Sequence, residues 1–84
     1  MTHYVYVVEC SDGTLYTGYT TDVGRRVDEH NSGDGAKYTR GRTPVRLVHK
    51  EEYETRSEAM SREAEIKSLS REEKTELTNL YTSG

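Results

Sequence analysis

The sequence has no tryptophan, no phenylalanine, a single proline and a single cysteine. It also has no apolar run long enough to span a bilayer. With the other large aromatics missing, seven tyrosines supply all such surface, so each must serve either a core or a site. The lone Cys10 excludes an internal disulfide and suits a reducing compartment. The N-terminal MTHYVYVVEC has no basic region ahead of an apolar core, which argues against a secretory signal; the expected location is cytoplasmic, with no membrane partner. Eighty-four residues leave room for one hydrophobic core. We expect a single domain over 1–84, ordered over about 3–81 and frayed at the last few residues.

Charge is scarce in one sign at one end. Residues 1–24 contain no Lys or Arg, against Glu9, Asp12 and Asp22. Residues 25–50 carry Arg25, Arg26, Lys37, Arg40, Arg42, Arg46 and Lys50 against Asp28, Glu29 and Asp34, and residues 51–84 are acidic again. The net charge of −3 excludes a generally basic protein. A basic middle between acidic ends fits a localised phosphate-binding surface, and equally an ordinary solvated loop.

Tyr4–Cys10 is rich in Tyr and Val and apolar on both faces, which predicts a central strand covered on two sides. Ser11-Asp12-Gly13 signals a turn, with a second strand at Leu15–Thr20. A two-residue Asp12-Gly13 loop would pair Glu9 with Tyr16 and set Tyr6 and Tyr16 on opposite faces. A three-residue loop with Gly13 left-handed would pair Val8 with Tyr16 and put both tyrosines on one face. We expect the three-residue turn. Thr20, Thr21 and Asp22 offer N-caps for a helix over roughly 22–31, stopped by Asn31-Ser32-Gly33. A Gly-rich basic loop, residues 32–43, leads to Pro44 and a third strand in VRLVHKEEY. Thr55 or Ser57 caps a second helix to about Ser68, and Ser70-Arg-Glu-Glu caps a third ending near Tyr81. The expected fold is α/β (α+β), a three-stranded antiparallel sheet flanked by helices in the order β-β-α-β-α-α.

Glu63 stands out on the second helix. At about 100° per residue from Ala59, Ile66 lies at about −20°, Glu63 at about 40° and Met60 at about 100°. Glu63 thus shares the apolar stripe, whereas Glu65, at about 240°, faces solvent. A carboxylate there needs a cation, a metal ion or hydrogen-bond donors. An ion pair with Arg26 is the plainer of those readings. Arg26 and His30, four apart, share a stripe beside Val23 and Val27; they fit either a charged surface helix or a phosphate grip with a proton donor or acceptor beside it. Arg25 is expected to be solvated. The tyrosines fit cross-strand packing, or a hydroxyl opening onto Arg26 and Glu63. Gly18 allows close approach by a phosphate or a neighbouring backbone.

Taken together, Tyr4-Val5-Tyr6, Tyr16-Thr17-Gly18, Arg26, His30 and Glu63 in REAEIK resemble, in order, the signature of the GIY-YIG family. The resemblance runs over roughly Tyr4–Lys74 and is strongest to its small single-domain bacterial and archaeal members. It departs in two places. Tyr4 stands for the first glycine, and Glu73-Lys74-Thr75 stands where many nucleases of the family carry an asparagine. The resemblance implies a metal-dependent endonuclease acting on DNA, structure-selective or weakly sequence-specific. Tyr6, Tyr16, Arg26, His30 and Glu63 would then be the catalytic residues, with Glu63 holding Mg²⁺ or Mn²⁺. Gly18, Lys37, Tyr38, Arg40, Arg42 and Arg46 would bind nucleic acid. The alternative is a nucleic-acid-binding domain of the same fold with little or no turnover. A protein-interaction domain using Glu72, Glu73 and Glu76 is a third reading.

Overall fold

One turn decides which side chains share a face. In the computed structural model, which describes residues 1–82 and side chains through Thr78, Val8 pairs with Tyr16 and Tyr6 with Gly18. This is the register of the three-residue turn. Cys10 N–H donates to the Thr14 carbonyl at 2.8 Å and Gly13 N–H to the Cys10 carbonyl at 3.0 Å. Gly13 takes φ 84°, a conformation that favours glycine. Asp12 Oδ1 accepts from the Thr14 hydroxyl at 2.6 Å and fixes the tip.

The elements are β1 (His3–Glu9), β2 (Leu15–Thr20), α1 (Val23–Ser32), β3 (Arg46–Tyr53), α2 (Arg56–Lys67) and α3 (Arg71–Thr82). The sheet is antiparallel throughout, in the order β2-β1-β3. β1 is the central strand, and Val5, Tyr6, Val7 and Val8 are all at most 1% exposed, so both of its faces are covered. On one face Tyr6 and Val8 pack with Val23, Val27 and Val45, under α1. On the other, Val5, Val7 and Val48 pack with Ala59 and Ile66 of α2. The β1–β3 register shifts between Val7 and Val8, and the neighbours Leu47 and Val48 serve opposite cores, as successive strand residues do.

Local signals set the helix ends. Asp22 Oδ1 accepts the Arg25 amide at 3.1 Å, and Gly33, at φ 91°, closes α1. Thr55, not Ser57, caps α2. Ser70 and Glu73 form a reciprocal capping box on α3, with bonds of 3.2 and 3.0 Å. Between α1 and β3 the Gly-rich segment is fastened by Asn31, whose amide accepts from Val45 N–H at 2.6 Å and donates to its carbonyl at 3.1 Å. Among the described residues, no helix is long and apolar enough to cross a membrane. The end at which fraying was expected reaches beyond the described residues.

Candidate active site

The three-residue turn puts Tyr4, Tyr6, Val8, Tyr16 and Gly18 on the α1 face of the sheet. Tyr6 lies across its partner Gly18, where an added Cβ would come within 2.6 Å of Tyr6 Cζ. The room at Gly18 is therefore filled by the Tyr6 ring. The Tyr6 hydroxyl meets His30 Nε2 at 2.8 Å, and both side chains are buried. His30 comes from the last turn of α1 and is wholly buried behind Tyr6. Burial lowers the His30 pKa and the nearby Arg26 charge lowers it further, with Glu29 opposing. The ring is neutral at pH 7.

Arg26, one turn earlier on α1, lies beside the Tyr6 hydroxyl. Burial pushes that hydroxyl up to about 12, and Arg26 pulls against it. The carboxylate that Arg26 grips is Glu29, at 3.1 Å, rather than Glu63. Arg25 is 72% exposed, as its place on the helix predicts. Tyr16 stands edge-on to His30, with ring centroids 5.4 Å apart, and stacks on Tyr38 at 5.7 Å.

Glu63 arrives from the other layer. α2 packs across β1 and β2, with Ala59 and Ile66 buried and the Glu63 side chain 14% exposed beside them. Glu65 is 62% exposed, so the angular argument holds for both carboxylates. The cation nearest Glu63 is Lys67, one turn on, with Nζ at 3.8 Å. The Glu63 charge is felt at the Tyr6 hydroxyl, where it favours the protonated form.

The basic loop divides. Lys37 and Arg40 are exposed, and among the described residues neither makes an ion pair. Arg42 lies over the Tyr38 ring at 4.4 Å, donates to the Tyr38 carbonyl at 2.7 Å and pairs with Asp12 at 3.1 Å. Arg46 is bound to Glu9 at 2.7 Å and lines a hollow with Val48, Arg71 and Thr75, on the α3 side of the sheet. The structure thus gathers Tyr6, Tyr16, Gly18, Arg26, His30 and Tyr38 at one face, brings Glu63 to its border, and sets Arg46 on the other face.

Sequence reasoning missed Thr39 and Gly35. Thr39 is fully buried with its hydroxyl 2.7 Å from His30 Nδ1, and a Cβ on Gly35 would come within 2.7 Å of His30 Cγ. Both lie in a loop without hydrophobic period, so no amphipathic pattern could mark them.

The family model described as the GIY-YIG catalytic domain matches residues 2–76. A UPF0213 protein of Haloquadratum walsbyi is 73% identical over 75 residues, which cover 89% of this chain and 84% of that protein. One from Halobacterium salinarum is 72% identical over 72 residues, covering 86% and 94%. The solution structure of a UPF0213 protein from Bacillus halodurans is similar at a TM-score of 0.62 and 57% identity, covering 95% of this chain and 85% of that one. With the β-β-α-β-α-α order, and with Tyr6, Tyr16, Gly18, Arg26 and His30 on one sheet face and Glu63 reaching it from α2, the match places this chain in the GIY-YIG family.

Proposed function

We propose that this chain is a metal-dependent endonuclease domain that hydrolyses phosphodiester bonds in DNA, choosing its targets by structure or by weak sequence preference. The observation that carries this reading is the buried Tyr6–His30 pair with Arg26 beside it and the Glu63 charge acting on the same hydroxyl. A packing role alone would require neither the cation nor the carboxylate there.

Arg26 is 30% exposed, and its guanidinium keeps donors for a phosphate while Glu29 holds its other side. In the transition state it would offset the extra negative charge. Tyr6, held up at about 12, stays a phenol in the free protein and serves as a hydrogen-bonding group rather than a ready base. Tyr16 is half-buried, and its hydroxyl has no hydrogen-bond partner among the described residues, so it is the better group to orient an attacking water. His30 holds Tyr6 in place from behind.

Glu63 is a single hard-oxygen ligand with only a distant lysine competing for it. That donor set fits Mg²⁺ or Mn²⁺, which keep several waters and share one or two carboxylates with substrate phosphates. Bound there, the ion would supply Lewis-acid polarisation of the phosphate. Lys37 and Arg40 would contact backbone phosphates without reading sequence, and Tyr38, 40% exposed on its Arg42 support, would stack on a base.

The test is cleavage of labelled duplex, nicked, branched and single-stranded DNA with Mg²⁺ or Mn²⁺ and with chelator. Wild type would cut only with metal. Glu63→Ala and Arg26→Ala would each lose at least about 100-fold, on the scale of a lost electrostatic contact to the reacting group. Glu65→Ala would cut like wild type. Salt-sensitive binding without cutting on any substrate would replace this reading with the binding domain.

A further inference from the structure

The site contains a proton-ordering device that the signature residues do not reveal. His30 is buried between two hydroxyls, Tyr6 at Nε2 (2.8 Å) and Thr39 at Nδ1 (2.7 Å). A neutral imidazole has one proton, so one nitrogen donates and the other accepts. Hydroxyls can play either part and do not settle which. A backbone amide can only donate, and the Ala36 N–H points at Nδ1 from 3.3 Å. A proton on Nδ1 would face it head-on, so this long contact biases Nδ1 toward accepting without fixing it alone.

Thr39 completes that assignment. Its hydroxyl has one proton and two acceptors in reach, Nδ1 at 2.7 Å and the Ala36 carbonyl at 3.0 Å. The carbonyl already receives the Thr39 amide, at 3.1 Å, and does not need the hydroxyl. The turn from Ala36 to Thr39 therefore presents two donors, one at each end, to the same ring nitrogen. Gly35 lets the turn close on the ring, since any Cβ there would collide with it.

We propose that Thr39 is a positioning residue: with the Ala36 amide it holds His30 as the Nε2–H tautomer, so that His30 donates a hydrogen bond to Tyr6 instead of accepting the Tyr6 proton. The Tyr6 oxygen then faces two groups that can only donate, His30 Nε2–H and the Arg26 guanidinium. Its own proton is left for a third partner, a phosphate oxygen or a water that reaches it when substrate binds. This deepens the nuclease reading, on which the identity of that third partner rests. The tautomer itself does not depend on turnover.

The experiment is long-range ¹H–¹⁵N correlation of the His30 ring in the ¹⁵N-labelled chain at neutral pH. The expected spectrum has the Nδ1 shift of an unprotonated nitrogen and the Nε2 shift of a protonated one. Thr39→Val should move both shifts toward the average of the two tautomers, and Thr39→Ser should restore the wild-type pattern. An Nδ1–H pattern in wild type, or one unchanged in folded Thr39→Val, would overturn the proposal. Should the valine variant fail to fold, the wild-type and serine spectra still decide: an averaged or Nδ1–H ring in either counts against it. A chain that never cuts DNA would show its failure in the cleavage assay and not in this spectrum.

Discussion

Thr17, the middle residue of the second triplet, is 4% exposed, and its hydroxyl oxygen is buried without a hydrogen-bond partner. It pairs with Val7, on the α2 face of the sheet, away from Tyr6 and His30. A buried, unpaired hydroxyl forfeits its hydration and gains nothing in return, so Thr17→Val should stabilise the fold by about 1 kcal/mol. Urea unfolding at constant m-value would read this as a raised midpoint; a lowered one would mean that the hydroxyl has a partner in solution. The next residue behaves oppositely. Gly18→Ala would drive a methyl into the Tyr6 ring, which must then leave His30. Overpacking of this kind costs about 1–3 kcal/mol. If the chain is the nuclease proposed above, the displaced hydroxyl would cut the cleavage rate on the order of 100-fold by misplacement alone. Retained activity in a folded Gly18→Ala protein would show that Tyr6 is not positioned by this contact.

At the scale of elements, β3 and α2 are joined by a charged cluster rather than by apolar area alone. Glu51 receives Arg62 Nε at 2.8 Å and Nη2 at 3.0 Å, the Tyr53 hydroxyl at 2.6 Å, and contacts His49 Nε2 at 2.7 Å; Arg62 also binds Glu65. Burial would raise the Glu51 pKa, but these donors overcome it and hold the carboxyl down at about 2, against an ordinary 4.5. A carboxyl depressed on folding contributes its full stability above the unfolded value and loses it as pH falls through 4.5 toward 2. That difference corresponds to roughly 3 kcal/mol. Urea midpoints at pH 6 and pH 3 should therefore differ more in wild type than in Glu51→Gln, and equal differences would show that the cluster carries no such coupling. Nothing in VRLVHKEEY announces this cluster, because Arg62 lies eleven residues on and in another element. What was legible is local or periodic: the Gly13 turn and with it the shared face of Tyr6 and Tyr16, the Asp22 and Ser70 caps, the contrast between Glu63 and Glu65. The depth of His30 was not, because the helix pattern places it only on a stripe beside Val23 and Val27. A loop with its own turn geometry, and room only for glycine at position 35, closes over it.

For the whole molecule, a net charge of −3 gives little long-range attraction for DNA, so on the proposed nuclease reading binding would rest on where the cations stand and which of them are already matched. Arg42 is held by Asp12 and Arg46 by Glu9, each pair drawing the end of the first hairpin to a basic residue and neutralising it. Lys37 and Arg40 are exposed, lie in the loop that carries Tyr38, and have no carboxylate partner among the described residues. A cation that meets a phosphate releases a counterion, and removing it lowers the slope of log affinity against log salt by about 1. Lys37→Ala and Arg40→Ala should each do so. Arg46→Ala should leave the slope unchanged, since its guanidinium is spent on Glu9 on the opposite face, and should cost at most about 1 kcal/mol of stability as an exposed ion pair. Arg42→Ala should weaken binding by removing the support under Tyr38, with a smaller change in slope than either loop cation gives. Fluorescence anisotropy with a labelled oligonucleotide at several salt concentrations, with chelator present to prevent cutting, measures all four. A slope lowered by Arg46→Ala as much as by Lys37→Ala would mean that DNA reaches around the edge of β3 to both faces, and that the Glu9 pair opens to let it do so.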